Sequence, residues 1–238
     1  MNIFGNVDDS LVKDKDNSGS FVLNTGIYKA TVKSHYLTNN AKNAVEAHLT
    51  LDINGGDHNF TIALTWDGDN SKIGSIVKDF KTKQGGVFKK VKPGYITLNS
   101  LTKITMGKSL KEVSQVKKMV EVQNWETKNK EKKQAYVIEG LDGVKFNVGI
   151  IHKQYASQST NKIKNTNAID KIYNENNQTL SEIENNVPST YADKFMSEKA
   201  GKIFDVYGRN EVTSVVTKQS NISDDDDDDD DVSPFGND

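Results

Sequence analysis

Apolar and polar residues alternate along residues 27–66, which is the pattern of β-strands with one buried face. In IYKATVKSHY, Tyr28, Ala30 and Val32 fall on one side, and lysine and threonine fall on the other. VEAHLTLDI and FTIALTW repeat the alternation, and the NGGD between them is a strong hairpin signal. These segments predict an antiparallel meander with one face in the core and one polar face.

The pattern changes between residues 67 and 107. A helix ending near Gly85 fits the helical spacing of Ile73, Ile76, Val77 and Phe80. A lysine-rich hairpin fits the same residues nearly as well, so the pattern leaves the two structures open. After Pro93, TLNSLTKITMG predicts a short helix with Gly107 as its C-terminal cap.

Three further strands are predicted in KKMVEVQNW, QAYVIEG and VKFNVGIIHKQY, the last two joined by a tight turn at residues 141–143. The composition becomes polar after Tyr155, where ASQSTNKIKNTN predicts a linker. Residues 168–207 then predict helix in places. There Thr190 is a candidate cap for a helix that buries Tyr191, Phe195 and Ile203.

Together these signals predict a mainly β fold, an OB-like Greek-key β-barrel with a short helix between strands three and four. We expect an OB-like domain at residues 1–160, a helical extension at residues 161–208 and a disordered acidic tail at residues 209–238. The tail is expected to be disordered because its run of aspartates is self-repelling and has no apolar surface to bury.

Composition argues against most enzyme chemistry. The chain has no cysteine, and its four histidines are scattered at no ligand spacing, so we expect them at solvated or edge positions. DKDNSG at residues 14–19 matches half of a calcium loop, but the twelfth position is Thr25 instead of a bidentate glutamate. No phosphate-binding or nucleophile motif is present. We expect no catalysis, no metal, no cofactor and no membrane span.

Charge is distributed very unevenly. The net charge is -2, but residues 72–133 hold sixteen lysines and five acids, and the last fifteen residues hold nine aspartates and no base. In FKTKQGGVFKKVKPGY, lysines alternate with aromatic residues, as in proteins that hold phosphates with cations and stack bases on rings. A solvated loop with Phe80 and Tyr95 in the core fits this stretch equally well.

We take a set of basic and aromatic residues as candidate contacts to single-stranded DNA. They are Lys29, Lys33, Lys81, Lys83, Phe88, Lys89, Lys90, Lys92, Lys117, Lys118, Trp125, Lys153 and Tyr155. The acidic run, Asp224, Asp225, Asp226, Asp227, Asp228, Asp229, Asp230 and Asp231, precedes an isolated Phe235. Such a tail is a candidate competitor for a cationic groove and a candidate docking peptide for a partner.

The chain resembles the single-stranded-DNA-binding proteins of tailed bacteriophages. The resemblance rests on the aspartate run with Pro234-Phe235 and, more loosely, on the strand segments between residues 20 and 155. The chain departs from the pattern in continuing through Gly236 to Asp238 after the phenylalanine. The resemblance implies an OB-type barrel, a role in replication and recombination in the cytoplasm of the bacterial host, and recruitment of a polymerase, primase or helicase through the tail.

Two other functions remain compatible with the sequence. The first is an assembly factor whose OB-like barrel binds a polypeptide, with the tail as a solubiliser, and the second is an RNA-binding or strand-annealing protein. The salt dependence of single-strand binding separates the first from a DNA-binding protein. A homo-oligomer is compatible with all three functions.

Overall fold

The computed structural model describes residues 22–68, 72–123, 129–156 and 163–205. The strands are β1 (Gly26–Asn39), β2 (Val45–Ile53), β3 (Gly56–Ala63), β4 (Val77–Lys81), β5 (Val87–Val91), β6 (Gln115–Gln123), β7 (Lys130–Ile138), β8 (Lys145–Ala156), β9 (Ile163–Tyr173) and β10 (Ile203–Asp205). The helices are α1 (Pro93–Met106), α2 (Leu180–Glu184) and α3 (Tyr191–Lys199). The protein is therefore mainly β, as predicted.

Strand β1 organises the main sheet because different parts of it pair with different neighbours. Residues 26–31 pair with β8, residues 30–39 pair with β2, and Leu37 also pairs with Tyr136 of β7. Strand β3 extends the sheet beyond β2, β6 pairs with β7, and β9 and β10 both pair with β8. All of these pairings are antiparallel except that of β10 with β8. The described strands form no closed barrel.

The predicted meander of β1, β2 and β3 is confirmed. Its hairpin turn has Asn54 and Gly55 at φ 55° and 79°, the left-handed pair that a two-residue turn between antiparallel strands requires. Apolar side chains of the three strands meet in one core with residues of β7, β8 and α1. The alternation predicts this burial because successive side chains of a strand point to opposite faces.

Residues 77–91 form a hairpin, which settles the choice that the sequence left open. Strands β4 and β5 pair only with each other, as a two-stranded sheet separate from the main one. Gly85 adopts φ 83° in the turn, and the Thr82 N–H donates to the Gly86 carbonyl at 2.7 Å. Ile73, which a helix would bury, is largely exposed.

Helix α1 confirms the predicted helix after Pro93, and Gly107 ends it at φ 69°. The helix buries Leu98 and Leu101 in the core. It begins tightly against β3, since a Cβ on Gly94 would lie 2.2 Å from the carbonyl oxygen of Ala63. This close contact therefore sets where the chain, after leaving the β4–β5 hairpin, meets the main sheet again.

The region after Tyr155 differs from the prediction. Residues 163–173 form strand β9 along β8, where a linker and the start of a helical extension were expected. Three exposed polar or charged residues, Lys164 to Thr166, give this part of the strand no apolar alternation by which the sequence could reveal it. Thr190 precedes α3 as predicted, but its side chain makes no capping hydrogen bond. The helix buries Phe195 and leaves Tyr191 half-buried, whereas Ile203 lies in β10 and is exposed. The domain boundaries stay predictions.

Glu182 joins helices α2 and α3 through one buried carboxylate. It accepts hydrogen bonds from the backbone N–H and hydroxyl of Thr179 at 2.8 and 3.0 Å, and from those of Thr190 at 2.8 and 2.9 Å. A fifth comes from the Tyr191 N–H at 2.8 Å. Burial alone would raise the pKa of Glu182, but these donors outweigh it and lower the pKa to about 2.

Candidate nucleic-acid interface

The β4–β5 hairpin has two faces of different chemistry. Because directly paired residues of an antiparallel ladder point the same way, the pairs Lys78–Lys90 and Phe80–Phe88 share one face. We call this the aromatic face. The pairs Val77–Val91, Asp79–Lys89 and Lys81–Val87 share the other, which we call the reverse face.

The aromatic face carries a row of three rings. Phe80 stacks on Phe88 with ring centroids 5.8 Å apart, and Trp66 meets the Phe80 ring edge-on at 5.3 Å. Phe88 at the outer end of the row is 48% exposed. Rings left open on a protruding hairpin provide flat apolar surface on which a base can stack.

Lysine ammonium groups lie over these rings. The Nζ of Lys92 lies 4.2 Å from the Trp66 ring centroid, and the Nζ of Lys90 lies 5.9 Å from the Phe80 centroid. An ammonium over a ring face is attracted by the ring quadrupole, which holds the flexible lysine stem close to the aromatic row. The aromatic face thus places cations directly beside surfaces on which bases can stack.

The lysines of the hairpin are available for an external anion. Within the described part of the chain, none of the six forms an ion pair: Lys78, Lys81, Lys83, Lys89, Lys90 and Lys92. Asp79 is the one acid between residues 72 and 92. A phosphate chain on this surface would therefore displace no internal salt bridge.

Backbone hydrogen bonds fix the base of the hairpin to the turn between β1 and β2. Gly74 and Gly68 donate to the carbonyls of Asn43 and Lys42 at 3.0 and 2.8 Å, and Trp66 donates to that of Ser75 at 2.8 Å. A Cβ on Gly74 would lie 1.6 Å from the Trp66 carbonyl oxygen, so only glycine allows this approach. The base is therefore held by backbone contacts, whereas the strands above it are exposed.

A second lysine–aromatic pair lies on the β6–β7 hairpin. Lys117 and Tyr136 are cross-strand partners, with the Lys117 Nζ 5.2 Å from the ring centroid, and Tyr136 is exposed. Tyr136 pairs with Leu37, so this surface joins β1 near the same end as the β4–β5 hairpin. Lys118 alternates to the opposite face of β6, opposite Ala135.

The structure divides the remaining candidates between several places. Lys83 lies in the turn of the β4–β5 hairpin, and Lys81 and Lys89 lie on its reverse face. Lys33 is held by Asp57 in a 2.8 Å ion pair near the β2–β3 turn, at the far end of the meander from the hairpin. The first half of β1 carries Lys29, which lines a polar cavity with Lys145 and Asp52.

Lys153 and Tyr155 lie together on β8, in the part of that strand that extends past Gly26 at the start of β1. The β4–β5 hairpin lies near the other end of β1. They alternate onto one face of the strand, where Lys164 of β9 pairs with Tyr155. Trp125 and the acidic run with Phe235 lie outside the described residues. The candidates in the described part of the chain therefore fall into a group near the hairpin and a group at the opposite end of β1.

Sequence reasoning missed part of the aromatic face. The alternation in FTIALTW continues to Trp66 and predicts a core position for it. Strand β3 ends at Ala63, however, and the Trp66 ring contacts the hairpin beneath Lys92. Lys78 was overlooked because it precedes the lysine-rich stretch. The alternation of side chains along a hairpin would have identified Lys78, because it falls on the same side as Phe80, Phe88 and Lys90. Tyr95 packs against the core.

The outer surface of β2 and β3 is not cationic. Neither strand contains lysine, and the two carry Glu46, Asp52 and Asp57. On this surface the His48 ring stacks on Tyr36 at 4.5 Å and bonds to the hydroxyls of Thr38 and Thr61. Burial lowers the pKa of His48 despite nearby Glu46. Cationic surface is therefore supplied by the hairpins and not by this sheet face.

Two residues that the sequence analysis singled out, His35 and Thr25, are buried in the fold. His35 was expected near solvent but is buried, where its Nε2 accepts from the Ile138 N–H at 2.7 Å and its Nδ1–H donates to Asp142 at 2.6 Å. Thr25 is also buried, and its hydroxyl donates to the Lys202 carbonyl. Among the described residues there is no cluster of three metal-binding side chains. No described helix is long and apolar enough to cross a membrane.

No protein-family model matches the chain, and no curated protein matches it either.

Proposed function

We propose that the protein binds single-stranded DNA with little sequence preference and acts in phage DNA replication and recombination. The observation that carries the proposal is the aromatic face, where Trp66, Phe80 and Phe88 form a row beneath unpaired lysines. Cations on a phosphate chain and rings under the bases are together what a single strand requires, and neither depends on base identity.

The exposed Phe88 ring at the end of the aromatic row favours a single strand over a duplex. Bases in a duplex are already stacked on each other, so a protein ring reaches them only when they are unpaired. The hairpin protrudes as a two-stranded sheet of its own, and its aromatic face includes no acidic side chain. The element order, with a meander, a helix and further strands, also supports an OB-like Greek-key arrangement in the proposal.

The acidic tail has two roles in the proposed function. As a polyanion, the aspartate run competes with DNA for the cationic surface of the protein. Phe235 supplies an apolar contact through which the tail recruits a replication protein such as a polymerase, primase or helicase. These roles rest on the composition of residues 224–238.

A salt titration with matched lysine variants tests the proposal. We expect log affinity for oligo(dT) to fall linearly with log salt, by about 0.7 per phosphate neutralised, with much weaker binding to duplex. Replacing Lys78, Lys90 and Lys92 with alanine should lower that slope by about 2, equally for all base compositions. The control replaces Lys108, Lys111 and Lys145, which changes net charge by the same amount away from the hairpin.

Equal slopes for the two triple variants would place the binding surface elsewhere. Tighter binding to oligo(U) than to oligo(dT) would make RNA the ligand. If neither nucleic acid binds at low salt, the proposed function is wrong, and a polypeptide ligand becomes the better hypothesis. Trp66 emission, isolated by Trp125→Phe, should be quenched as the strand binds.

A further inference from the structure

Strand β6 leaves one long edge of the β6–β7 hairpin open. The strand is nine residues long, and among the described strands it pairs with β7 alone. The Glu139 N–H donates to the carbonyl of Ser114, the residue before β6, at 2.9 Å. Because pairing alternates along an antiparallel ladder, every second residue of β6 after Ser114 turns its N–H and C=O groups away from β7. These residues are Gln115, Lys117, Met119, Glu121 and Gln123.

The sequence of this open edge is complementary to itself. When two copies of one strand pair antiparallel about a two-fold axis at Met119, each residue meets the one equally far beyond the axis. Lys117 of each copy then lies opposite Glu121 of the other. An axis at Lys117 or at Glu121 would instead set that charge against its own copy, which is destabilising. The register at Met119 therefore joins opposite charges and also pairs the backbone groups that point outwards.

The side chains of the edge fit this register on both faces. Met119 is 62% exposed and would lie against Met119 of the other copy. On the opposite face, Val116 falls opposite Val122 of the other copy, which gives an apolar pair. Lys117 and Glu121 are exposed, and neither forms an ion pair within the described ranges. Both charges are thus available for a second copy.

We propose that two copies of this chain dimerise through their β6 edges, which pair antiparallel about Met119. The two β6–β7 hairpins then form one four-stranded sheet. Five outward-pointing residues of each copy supply about ten backbone hydrogen bonds across the new ladder. Because backbone hydrogen bonds provide the affinity of strand addition, the contact needs no large apolar area. The dimer presents two aromatic faces to one nucleic-acid strand, and this consequence alone rests on the proposed function.

Cysteine crosslinking of protein free of nucleic acid tests the register, since the natural chain has no cysteine. In Met119→Cys the two thiols face each other, with Cα atoms about 5.5 Å apart, which a disulfide spans. The matched control is Gln134→Cys, because Gln134 is the exposed cross-strand partner of Met119. Its two copies lie three strand spacings apart, about 14 Å, which is too far.

Under mild oxidation we expect a disulfide-linked dimer of Met119→Cys and about tenfold less of Gln134→Cys. Equal crosslinking of the two variants would mean that the thiols meet only by random collision, and it would overturn the proposed register.

Charge reversal identifies the second copy as the occupant of the edge. Lys117→Glu and Glu121→Lys should each weaken the dimer about tenfold or more in sedimentation experiments, because two like-charge pairs then face each other. An equimolar mixture of the two variants should dimerise as the wild type does, since every pair is again opposite in charge. The control Lys118→Glu alters net charge equally but faces Val120 of the other copy, so it should weaken the dimer less than about twofold.

Wild-type protein that stays monomeric at every concentration overturns the proposal, and so does a mixture that dimerises no better than its separate components. A dimer that survives both charge reversals uses another interface, which also overturns it. Binding of oligo(dT) is measured separately. Protein that dimerises as described but does not bind oligo(dT) removes the proposed function and leaves the β6 dimer intact, whereas monomeric protein that binds oligo(dT) removes the dimer alone.

Discussion

The β4–β5 hairpin and the α2–α3 corner treat polar groups in opposite ways. At the corner, one buried carboxylate accepts five hydrogen bonds and caps two helices. On the hairpin, six lysines protrude without an ion pair in the described part of the chain. One region uses its charge internally, and the other leaves its charge for a ligand.

The difference shows how burial separates a structural charge from a binding charge. Removing a carboxylate from buried donors leaves those donors unsatisfied, which costs stability whether or not a ligand is bound. Removing an exposed lysine costs little stability, because exposed charges interact weakly through water. Substitutions at the α2–α3 corner should therefore change stability, and substitutions on the hairpin should change DNA binding. Each expectation can be tested by measuring both quantities.

The largest expected effect is that of Glu182→Ala on stability. The change removes the caps of α2 and α3 and leaves buried N–H groups unpaired, so we expect a loss of roughly 2–4 kcal/mol in the free energy of unfolding. Urea denaturation followed by circular dichroism measures it. Affinity for oligo(dT) at a temperature where the variant remains folded should be unchanged.

The acid dependence of stability provides the control for this effect. The pKa of Glu182 is lowered to about 2 in the folded protein, below its ordinary value, so its contribution is present above about pH 4.5. That contribution is lost as the pH falls from about 4.5 towards 2. Glu182→Gln, which cannot ionise, should show a shallower decline over that interval. Parallel declines for the two proteins would contradict the role of the carboxylate.

Much of the body of the fold is predictable because it is built from local patterns. Alternation, an Asn-Gly turn and a glycine-capped helix specify the meander and α1, and each signal lies within a few residues. Strand β9 is not predictable in this way, because its exposed first half is polar and only pairing with β8 makes it a strand. Burial of His35 likewise depends on Ile138 and Asp142, far along the chain.

The candidate interface is predictable in composition but not in arrangement. The lysine-rich stretch identifies the segment that forms the candidate interface. The positions of the lysines alone do not show which of them share a face of the hairpin. Pairing of Phe80 with Phe88 sets Lys90 on the aromatic face and Lys89 on the reverse face. Lys33, equally basic in sequence, is neutralised by Asp57 at a distant turn.

The second largest expected effect is that of removing the Phe88 ring, which should change DNA binding and not stability. Phe88→Ala removes the exposed end of the aromatic row, and the loss of one stacked base should weaken oligo(dT) binding by about 1–3 kcal/mol. Stability should change little, because the Phe88 ring is about half exposed. Fluorescence anisotropy at fixed salt measures the affinity.

Phe88→Tyr serves as the matched variant, since it retains a ring for stacking. Its affinity should lie close to that of the wild type. The slope of log affinity against log salt should be the same for the wild type and both variants, because no phosphate contact is altered. A change of slope in Phe88→Ala would mean that the ring positions lysines instead of stacking a base.

The smallest expected effect concerns the acidic tail. Deleting residues 224–238 changes the net charge from -2 to +7. If the aspartates compete with DNA for cationic surface, the truncated protein should bind oligo(dT) roughly 3- to 10-fold more tightly at low salt, and screening should shrink the gain as salt rises. Phe235→Ala keeps every tail charge, so it should leave DNA affinity unchanged while abolishing recruitment of a replication partner.

A double-mutant cycle shows whether the tail acts on the hairpin lysines. The deletion is made in the wild type and in the variant that replaces Lys78, Lys90 and Lys92 with alanine. Competition for those lysines predicts that the gain disappears in the triple variant but persists in the control lacking Lys108, Lys111 and Lys145. An equal gain in all three backgrounds would mean that the tail lowers affinity through the overall charge of the protein, because only a competitor for those particular cations loses its effect with them.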